Sequence, residues 1–287
     1  MIRLPITKTP KPYVGGAFIR SESGRTYPLR DAKGNFIANI PQCTRKDLRN
    51  AVEAAAKAGP GWAKRTAYNR GQILYRLGEM LEARRTELIE TLVLFGATKV
   101  AAAKEVDACS DRLVYYAGWA DKYEQVLGNV NPVASPYFNF TVTEPMGVIG
   151  VIAPEAPALL GLVSLVAPII TSGNTVVAEV SETNPYPAIL LGEMLATSDL
   201  PGGVVNLLTG FRKELVPTFA THTHLRGISA AVDSADERKT LRLGAAESVK
   251  RVHFADGKTN WFADSAQSAY AIRDFLEFKT TWHPIGA

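Results

Sequence analysis

The chain has 287 residues and a mass of 31.1 kDa, with 46% hydrophobic and 21% charged residues, so it can bury a sizeable core without disulfide bonds. This composition excludes disordered, collagenous and low-complexity chains. The net charge is +4, and residues 1–50 carry ten Lys or Arg against three acidic residues, but the aromatic residues there are too few and scattered to stack on bases. We therefore expect no nucleic-acid partner, and interpret the basic end as a solvated face or a contact for an acidic partner.

Small strands are predicted near the amino end, over Tyr13–Ile19, Ser21–Gly24 and Thr26–Leu29. Thr44, followed three residues later by Asp47, resembles a capping box and predicts a helix start. The helical spacing of apolar residues continues until Gly59-Pro60-Gly61, where we expect the helix to end.

Two further helical stretches are predicted by amphipathic spacing. Ile73, Leu74, Leu77 and Leu81 share one face, and the pattern runs on through Leu88, Leu92 and Phe95 to Gly96. The next stripe runs from Val106 through Cys109 to Ala120 and ends near Gly128. These stripes predict helices packed on a common core.

Strands and helices alternate between about residues 137 and 253. The predicted strands are Gly147–Ile152, Thr175–Ala178, Val204–Leu208 and Val249–His253, and the predicted helices are Leu159–Ile170 and Pro187–Ala196. Near-continuous apolar strands alternating with helices are typical of a parallel sheet covered on both faces, so the predicted fold class is α/β.

The stretch from Ala156 to Ala178 lacks charged residues and is nominally long enough to span a bilayer. Pro157, Pro168 and the Gly173-Asn174 pair interrupt it, which favours a buried helix, turn and strand, and no membrane partner. The first five residues, Met1–Pro5, lack the features of a signal peptide, and only two cysteines occur. We therefore expect a cytoplasmic protein.

The segment Phe278–Trp282 is β-prone but has no partner strand nearby in sequence. Such a strand must pair elsewhere, either with a distant segment such as Phe138–Val142 or with another chain.

The sequence carries no G-x-G-x-x-G, P-loop, G-x-S-x-G or H-E-x-x-H motif. His222 and His224 lack further ligands at metal spacing, so we expect a solvated loop and no metal. Cys109 lies on an apolar stripe and is expected to be buried. Cys43 precedes a helix start beside Arg45 and Lys46, which would lower the pKa of its thiol, although an inert loop cysteine is the favoured interpretation.

Several separated motifs resemble the aldehyde dehydrogenase superfamily. They occur in the family's order and spacing, and they are residues 144–154 (EPMGVIGVIAP), 167–168 (AP), 173–177 (GNTVV), 181–185 (SETNP) and 200–210 (LPGGVVNLLTG). Residues 115–121 (YYAGWAD) and Glu87-Leu88 are similar to the family's N-terminal helices, and Lys279-Thr280-Thr281 to its final oligomerisation strand. The resemblance covers about residues 10–258.

The resemblance implies an NAD-binding, Rossmann-type fold with a small oligomerisation element. It divides the chain into residues 1–128 (strands and helices of the cofactor-like domain), 129–146 (oligomerisation strands), 147–258 (the Rossmann-like half) and 259–287 (the C-terminal oligomerisation strand). On the same basis Glu182 and the Gly210 turn are vestigial cofactor contacts.

The positions that match the family's chemical groups carry different residues. Ala156 stands where an asparagine stabilises the oxyanion, and Glu179 stands where a lysine contacts the cofactor. Val232-Asp233-Ser234 aligns with the family's Gly-Ser-Thr phosphate turn. Residues 254–258 (FADGK) align with the family's Glu-Leu-Gly-Gly-Lys motif, so Phe254 stands in place of the glutamate that acts as general base. Each change removes a group that the family's reaction uses, so we predict no catalytic residue.

The chain passes from the cofactor-like fold to the terminal strand without a segment long enough for the family's catalytic domain, and none of the residues after Lys258 is cysteine. The pattern is most similar to the truncated, non-catalytic second unit of the two-part, family-sixteen enzymes. We expect a pseudoenzyme without cofactor that associates with an active aldehyde dehydrogenase, or with itself, through its terminal strands. The alternative is an aldehyde-oxidising subunit that is active only in a complex, and that either retains residual NAD binding at Glu182 and the Gly210 turn or uses Cys43 as a nucleophile.

Overall fold

A computed structural model describes residues 8–286, so Met1–Pro5, on which the signal-peptide prediction rests, lie outside the described residues. The strands are β1 (Tyr13–Val14), β2 (Ala17–Phe18), β3 (Thr26–Arg30), β4 (Phe36–Pro41), β5 (Asn129–Asn131), β6 (Tyr137–Pro145), β7 (Val148–Ile152), β8 (Thr175–Glu179), β9 (Val205–Leu208), β10 (Leu225–Ala230), β11 (Arg251–Phe254) and β12 (Leu276–Pro284). The helices are α1 (Arg45–Ala63), α2 (Ala67–Ala83), α3 (Arg85–Leu94), α4 (Lys99–Trp119), α5 (Tyr123–Leu127), α6 (Ala158–Thr171), α7 (Tyr186–Thr197), α8 (Arg212–Thr221), α9 (Ala235–Glu247) and α10 (Ala269–Arg273).

The largest sheet has the strand order β11-β10-β7-β8-β9-β1-β2. Strands β7 to β11 are parallel, and β1 joins β9 in antiparallel orientation. The chain starts in the middle at β7, fills one side through β8 and β9, and then crosses to β10 and β11 on the other side. This confirms the predicted α/β class with a parallel sheet.

Helices cover both faces of this sheet, as predicted. On one face α2, α3, α4, α6 and α7 form the larger core with alternate strand residues such as Ile149 and Val176. On the other face α1, α8 and α9 pack on the intervening residues, such as Val148 and Val177. Strands β7, β8 and β9 are buried at every position because both faces are covered, which explains their continuous apolar sequence.

Helix α1 does not end at Gly59–Gly61, as the sequence predicted, but continues to Ala63 with Pro60 inside it. The predicted start is confirmed, since the Thr44 amide donates to Asp47 Oδ2 at 2.7 Å. The last turn is held by Trp62, whose indole Nε1 donates to the Ile170 carbonyl at 2.9 Å from a buried position. This tertiary anchor outweighs the single backbone hydrogen bond that a proline removes.

The segment Ser21–Gly24 is a turn and not the predicted strand. The Gly24 amide donates to the Ser21 carbonyl at 3.1 Å, and Gly24 has a φ of +65°. The buried Ser21 hydroxyl donates to the Gln42 carbonyl, which fixes the turn over the start of α1. Side-chain hydrogen bonds of this kind compete with a strand ladder.

Strand β10 lies between β7 and β11 in the sheet, yet the sequence analysis did not find it. Arg226 and Gly227 interrupt its apolar pattern. Gly227 is required by packing, because a Cβ there would lie 2.9 Å from the Phe275 ring. A glycine selected by a distant aromatic ring looks like a turn residue in the sequence alone.

The small sheet contains β12, β6 and β5 in that order. Strand β12 runs antiparallel to β6 along nine residue pairs, from Leu276 opposite Pro145 to Pro284 opposite Tyr137. Of the two alternatives for Phe278–Trp282, a distant segment or another chain, the structure therefore shows the distant segment, since these residues pair with Asn139–Thr143 of β6.

Residues 255–275, which we call the connector, lead from β11 directly to β12. Trp261, Ile272 and Phe275 of this segment belong to the larger core. The buried Arg112 guanidinium donates to the carbonyls of Trp261 at 2.9 Å and Ala266 at 2.7 Å. The connector is thus an integral part of the fold.

Among residues 8–286, we find no helix long and apolar enough to cross a membrane. The uncharged stretch near Pro157 forms α6 and β8, joined by Gly173 with a φ of +91°, all in the core. This confirms the interpretation of that stretch as a buried helix, turn and strand.

Candidate functional site

The order of the parallel strands places a switch point between β7 and β10. Loops that follow these two strands leave in opposite directions, which opens a crevice outside the carboxyl ends of the sheet. A cavity of about 290 Å³ lies there, lined among others by Glu155, Ala156, Arg212, Asp233 and Asp256. In an open α/β sheet this is the expected position of a ligand.

Arg212 is the centre of the crevice. It is the first residue of α8, and its side chain is 13% exposed. Its Nη2 lies 3.0 Å from Glu155 Oε1 and also donates to the Ala153 carbonyl, while its Nε lies 3.5 Å from Glu179 Oε2. Its Nη2 is therefore paired within this chain, whereas Nε lies near Glu179 without a hydrogen-bond partner among the described residues.

Glu179 ends β8 and is completely buried. Neither of its carboxyl oxygens has a hydrogen-bond partner within the described chain. Burial raises the pKa of Glu179 well above its ordinary value, and the nearby Arg212 offsets this only in part. The position where the resemblance places a cationic contact thus holds a buried acid.

Glu155 links the loop after β7 to the loop after β8 by hydrogen bonds. Its Oε2 accepts hydrogen bonds from the hydroxyl of Ser181 at 2.8 Å and from the amide and hydroxyl of Thr183 at 3.0 and 2.7 Å. Burial alone would raise the pKa of Glu155, but these bonds and Arg212 outweigh it and lower the pKa below its ordinary value. The charged form of Glu155 therefore holds the two loops together.

Glu182 and Gly210, the two predicted cofactor contacts, lie in loops at this edge of the sheet. Glu182 Oε2 accepts the Arg212 amide at 3.1 Å, so its carboxylate sits at the start of α8. Gly210 has a φ of +155°, and a Cβ there would lie 3.1 Å from the Cys43 carbonyl oxygen. Packing against the backbone is thus a sufficient reason for glycine at this position.

The Val232-Asp233-Ser234 segment leads into the N-terminus of α9. Val232 is fully buried in the core beneath α9, and Ser234 caps the helix by accepting the Glu237 amide at 3.4 Å. The first turn adds Asp236 and Glu237, so acidic side chains surround this helix end. Carboxylates stabilise the positive end of a helix, but they repel a phosphate that would bind there.

Phe254 stands at the end of β11, close to two arginines of α9. The guanidinium carbons of Arg238 and Arg242 lie 5.1 and 5.2 Å from the centre of its ring. This is a cation–π arrangement that ties α9 to β11. A phenyl ring at this position has no group that could accept a proton.

The predicted low pKa of the Cys43 thiol is wrong. Cys43 is fully buried, and burial raises the pKa of its thiol to about 12. Its amide donates to the Thr209 carbonyl at 2.9 Å, while the neighbouring Lys46 pairs with Glu22 at the surface. The Cys43 nucleophile of the alternative hypothesis is thus not supported. Cys109 is buried, as predicted.

His222 and His224 lie in the turn after α8, with ring centres 5.9 Å apart and His224 exposed. Within residues 8–286, no group of three or more His, Cys, Asp or Glu side chains could hold a metal ion.

Comparison with known proteins matches residues 18–266 to the Aldehyde dehydrogenase family. The chain belongs to the aldehyde dehydrogenase family. It is 31% identical over 258 residues to "Aldehyde dehydrogenase, cytosolic 1" of Elephantulus edwardii, which covers 87% of this chain and 50% of that protein. It is 32% identical over 278 residues to "Retinal dehydrogenase 2" of Mus musculus, which covers 90% and 53% respectively.

The fold agrees with this membership. The "NAD+ complex structure of aldehyde dehydrogenase from bacillus cereus" superposes with a TM-score of 0.81 at 25% identity, covering 86% of this chain and 50% of that chain. The chain thus spans about half the length of the family relatives it matches.

The groups at the switch point do not fit the pyrophosphate that an NAD-binding family member holds. Arg212 is neutralised by glutamates, the start of α8 is occupied by Glu182, and the start of α9 is surrounded by acids. Sequence analysis found Glu179 and Asp233 through the family pattern, but it missed Arg212 and Glu155. In the sequence these two residues are marked only as charged residues that follow buried strands. Their contact with each other becomes visible only when the fold brings the two loops together.

Proposed function

We propose that this chain is a non-catalytic member of the aldehyde dehydrogenase family that acts as a structural or regulatory partner of an active aldehyde dehydrogenase. The observation that carries the proposal is the charge cluster at the switch point, where Arg212 forms ion pairs with both Glu155 and Glu179. A dinucleotide would have to break these contacts and approach several carboxylates.

The replacement of the family's reacting groups supports the same proposal. Ala156 cannot donate to an oxyanion, Phe254 cannot act as a base, and the thiols of Cys43 and Cys109 are buried with raised pKa values. Each of these changes would impair catalysis separately. Together they favour a fold that is kept for a purpose other than the reaction.

The connector supports a specific relationship within the family. It joins β11 to β12 through 21 residues anchored in the core by Trp261, Ile272 and Phe275, where the resemblance places the catalytic domain of a complete enzyme. We infer a kinship with the non-catalytic second unit of the two-part, family-sixteen enzymes. The small sheet, with its exposed Phe138, Val142, Phe278 and Trp282, supplies the surface for the active partner. Two buried, unpaired cysteines are in keeping with a cytoplasmic location.

Calorimetric titration of the purified chain with NAD and NADP tests the proposal. We expect no saturable binding up to the millimolar range, whereas an active aldehyde dehydrogenase run in parallel should bind. Micromolar binding of NAD, or NAD-dependent oxidation of aldehydes by the chain alone, would contradict the proposal and favour the subunit with residual cofactor binding through Glu182 and Gly210.

A variant that restores part of the phosphate turn tests whether the altered residues are the reason for the expected lack of binding. Val232→Gly combined with Asp233→Ser restores the first two residues of the family's phosphate turn at the start of α9, and we expect the variant to bind NAD at least about tenfold better than the parent chain. Glu247→Ser at the other end of the same helix removes one exposed carboxylate and should leave binding unchanged. The partner role is tested by co-purification with a full-length aldehyde dehydrogenase, which should form a complex of defined stoichiometry.

A further inference from the structure

A second cavity lies beneath the connector, on the face of the sheet that α6 covers. It has a volume of about 220 Å³, roughly that of seven water molecules, and is enclosed by α6, the ends of β10 and β11, and the connector. Ten of its sixteen lining residues belong to the connector. The cavity therefore depends on the segment that stands where the resemblance places the catalytic domain of a complete enzyme.

Strand alternation directs two polar side chains into this cavity. Ile228 and Ala230 of β10 belong to the core on the opposite face, so Ser229 between them faces α6. His253 lies opposite Ser229 in the parallel pair of β10 and β11 and therefore faces the same way. Both residues line the cavity.

The hydroxyl group of Ser229 lacks a partner in the protein. Ser229 is 3% exposed, and its hydroxyl makes no hydrogen bond to another residue in the described range 8–286. A buried polar group without a partner is destabilising unless water or a ligand satisfies it. The cavity provides the space for such a ligand.

Other polar groups of the wall are held in place by hydrogen bonds or ion pairs. The Ser164 hydroxyl oxygen accepts a hydrogen bond from Arg112 Nη1 at 2.8 Å, so its own proton is free to be donated to a ligand. His253 Nδ1 lies 3.3 Å from Asp274 Oδ2, which leaves Nε2 of the same ring for a ligand. The wall thus offers both donors and acceptors from side chains that are already oriented.

Aromatic surface completes the wall. Trp261 and Phe275 of the connector line the cavity and are 8% and 3% exposed. The carbon-bound hydrogens of a sugar ring can pack on aromatic surface of this kind, while its hydroxyl groups exchange hydrogen bonds with serine, imidazole and carboxylate groups.

The charges around the cavity favour a neutral ligand. Asp256 and Asp274 line it, whereas none of its lining residues is Lys or Arg, so a small anion is disfavoured. Arg112 lies directly behind the wall, because all three groups to which its Nη atoms donate belong to lining residues. Its buried positive charge opposes the entry of an organic cation.

We propose that this cavity binds a neutral monosaccharide, a hexose or a pentose. The size of the cavity, the unpartnered Ser229 hydroxyl and the combination of polar groups with an aromatic wall support this class of ligand. The inference goes beyond the proposed function and is independent of it, since it requires neither NAD nor a partner chain.

Titration of the full chain with D-glucose, D-galactose, D-mannose, D-ribose and D-xylose, without NAD, tests the proposal. Calorimetry and tryptophan fluorescence both measure binding, and we expect at least one sugar to saturate with a Kd below about 20 mM. The amino sugar and the aldonate with the skeleton of that sugar should bind at least about tenfold more weakly, because each carries a charge.

Variants locate the site. Ser229→Ala removes the unpartnered hydroxyl and should weaken binding about fivefold, whereas Ser135→Ala removes an exposed hydroxyl outside the cavity and should leave binding unchanged. Trp261→Phe should abolish the fluorescence change while calorimetry still detects the sugar. Circular dichroism checks that all three variants are folded.

Three outcomes would overturn the inference: no sugar with a Kd below about 20 mM, charged analogues that bind as tightly as the neutral sugar, or unchanged binding by Ser229→Ala. Tight binding of NAD by the chain would contradict only the proposed function, because sugar binding is measured without NAD.

Discussion

Glu179 and Arg212 face each other at the end of the central sheet, with Glu179 Oε2 3.5 Å from Arg212 Nε and the carboxyl group completely buried. Glu179 ends β8, and Arg212 begins α8, 33 residues later in the sequence. Their contact, extended by Glu155, lies in the wall of the crevice at the switch point of the sheet. The protonation and ion pairing of these three residues affect the stability of the fold and its dependence on pH.

Replacing Glu179 should change how stability depends on pH. Its pKa is raised in the folded state, so the folded protein holds the proton more tightly than the unfolded chain does. The contribution of this group to the free energy of unfolding therefore falls as the pH rises above about 4.5, the ordinary value. Glu179→Gln cannot ionise, so its stability relative to the parent should increase with pH in urea unfolding series. A constant difference across the pH range would contradict the raised pKa.

Glu155→Gln should behave in the opposite way. Hydrogen bonds and Arg212 lower the pKa of Glu155, so its stabilising contribution is present above about 4.5 and is lost as the pH falls through the lowered value. The destabilisation caused by the variant should therefore be largest near neutral pH and shrink in acid. The same urea series measures it.

Removing the guanidinium of Arg212 should cost more than replacing the carboxyl group of Glu179 by an amide. Arg212→Leu leaves Glu155 and Glu179 together without a cation, and we expect it to lower the free energy of unfolding by about 3 kcal/mol. Glu179→Gln, by contrast, should cost less than about 1 kcal/mol at neutral pH. An Arg212→Leu variant as stable as the parent chain would show that the contacts of Arg212 contribute little to the fold.

Neither cysteine should react in the folded protein. Burial raises the pKa of the Cys43 thiol to about 12 and that of Cys109 well above its ordinary value, so both lack the thiolate that attacks. Titration with a chromogenic disulfide reagent should detect almost no thiol in buffer and both thiols in denaturant. Rapid modification of one thiol, abolished in Cys43→Ser, would instead restore the nucleophile hypothesis.

Asn174 should be essential for the attachment of the connector. Its side-chain amide nitrogen donates to the Phe275 carbonyl at 2.8 Å, and its oxygen accepts the Gly147 amide at 2.8 Å. Asn174→Ala leaves the buried Phe275 carbonyl and the partly buried Gly147 amide without these partners and should cost about 2 kcal/mol. Limited proteolysis should then cut the connector earlier than in the parent chain. The exposed Asn35→Ala serves as control and should change stability by less than about 0.5 kcal/mol.

Local sequence patterns were sufficient for much of the fold. The Thr44 cap and the apolar strands β7, β8 and β9 follow from hydrogen-bonding groups and periodicity within short windows. The β propensity of β12 was visible in the same way, but the sequence left open whether its partner was β6 or another chain. The family pattern also identified the altered positions Glu179 and Val232-Asp233-Ser234, because a substitution is visible wherever its neighbours match.

Residues whose environment comes from distant segments needed the coordinates. Gly227 interrupts β10 because the Phe275 ring packs on it, Pro60 is tolerated because Trp62 binds α6, and Cys43 is inert because it is buried. The charge cluster around Arg212 forms only when three loops meet at one edge of the sheet. Neighbours along the chain set hydrogen-bonding propensity and periodicity, whereas desolvation and Coulomb interactions depend on distances through space, and only the packed chain defines those distances.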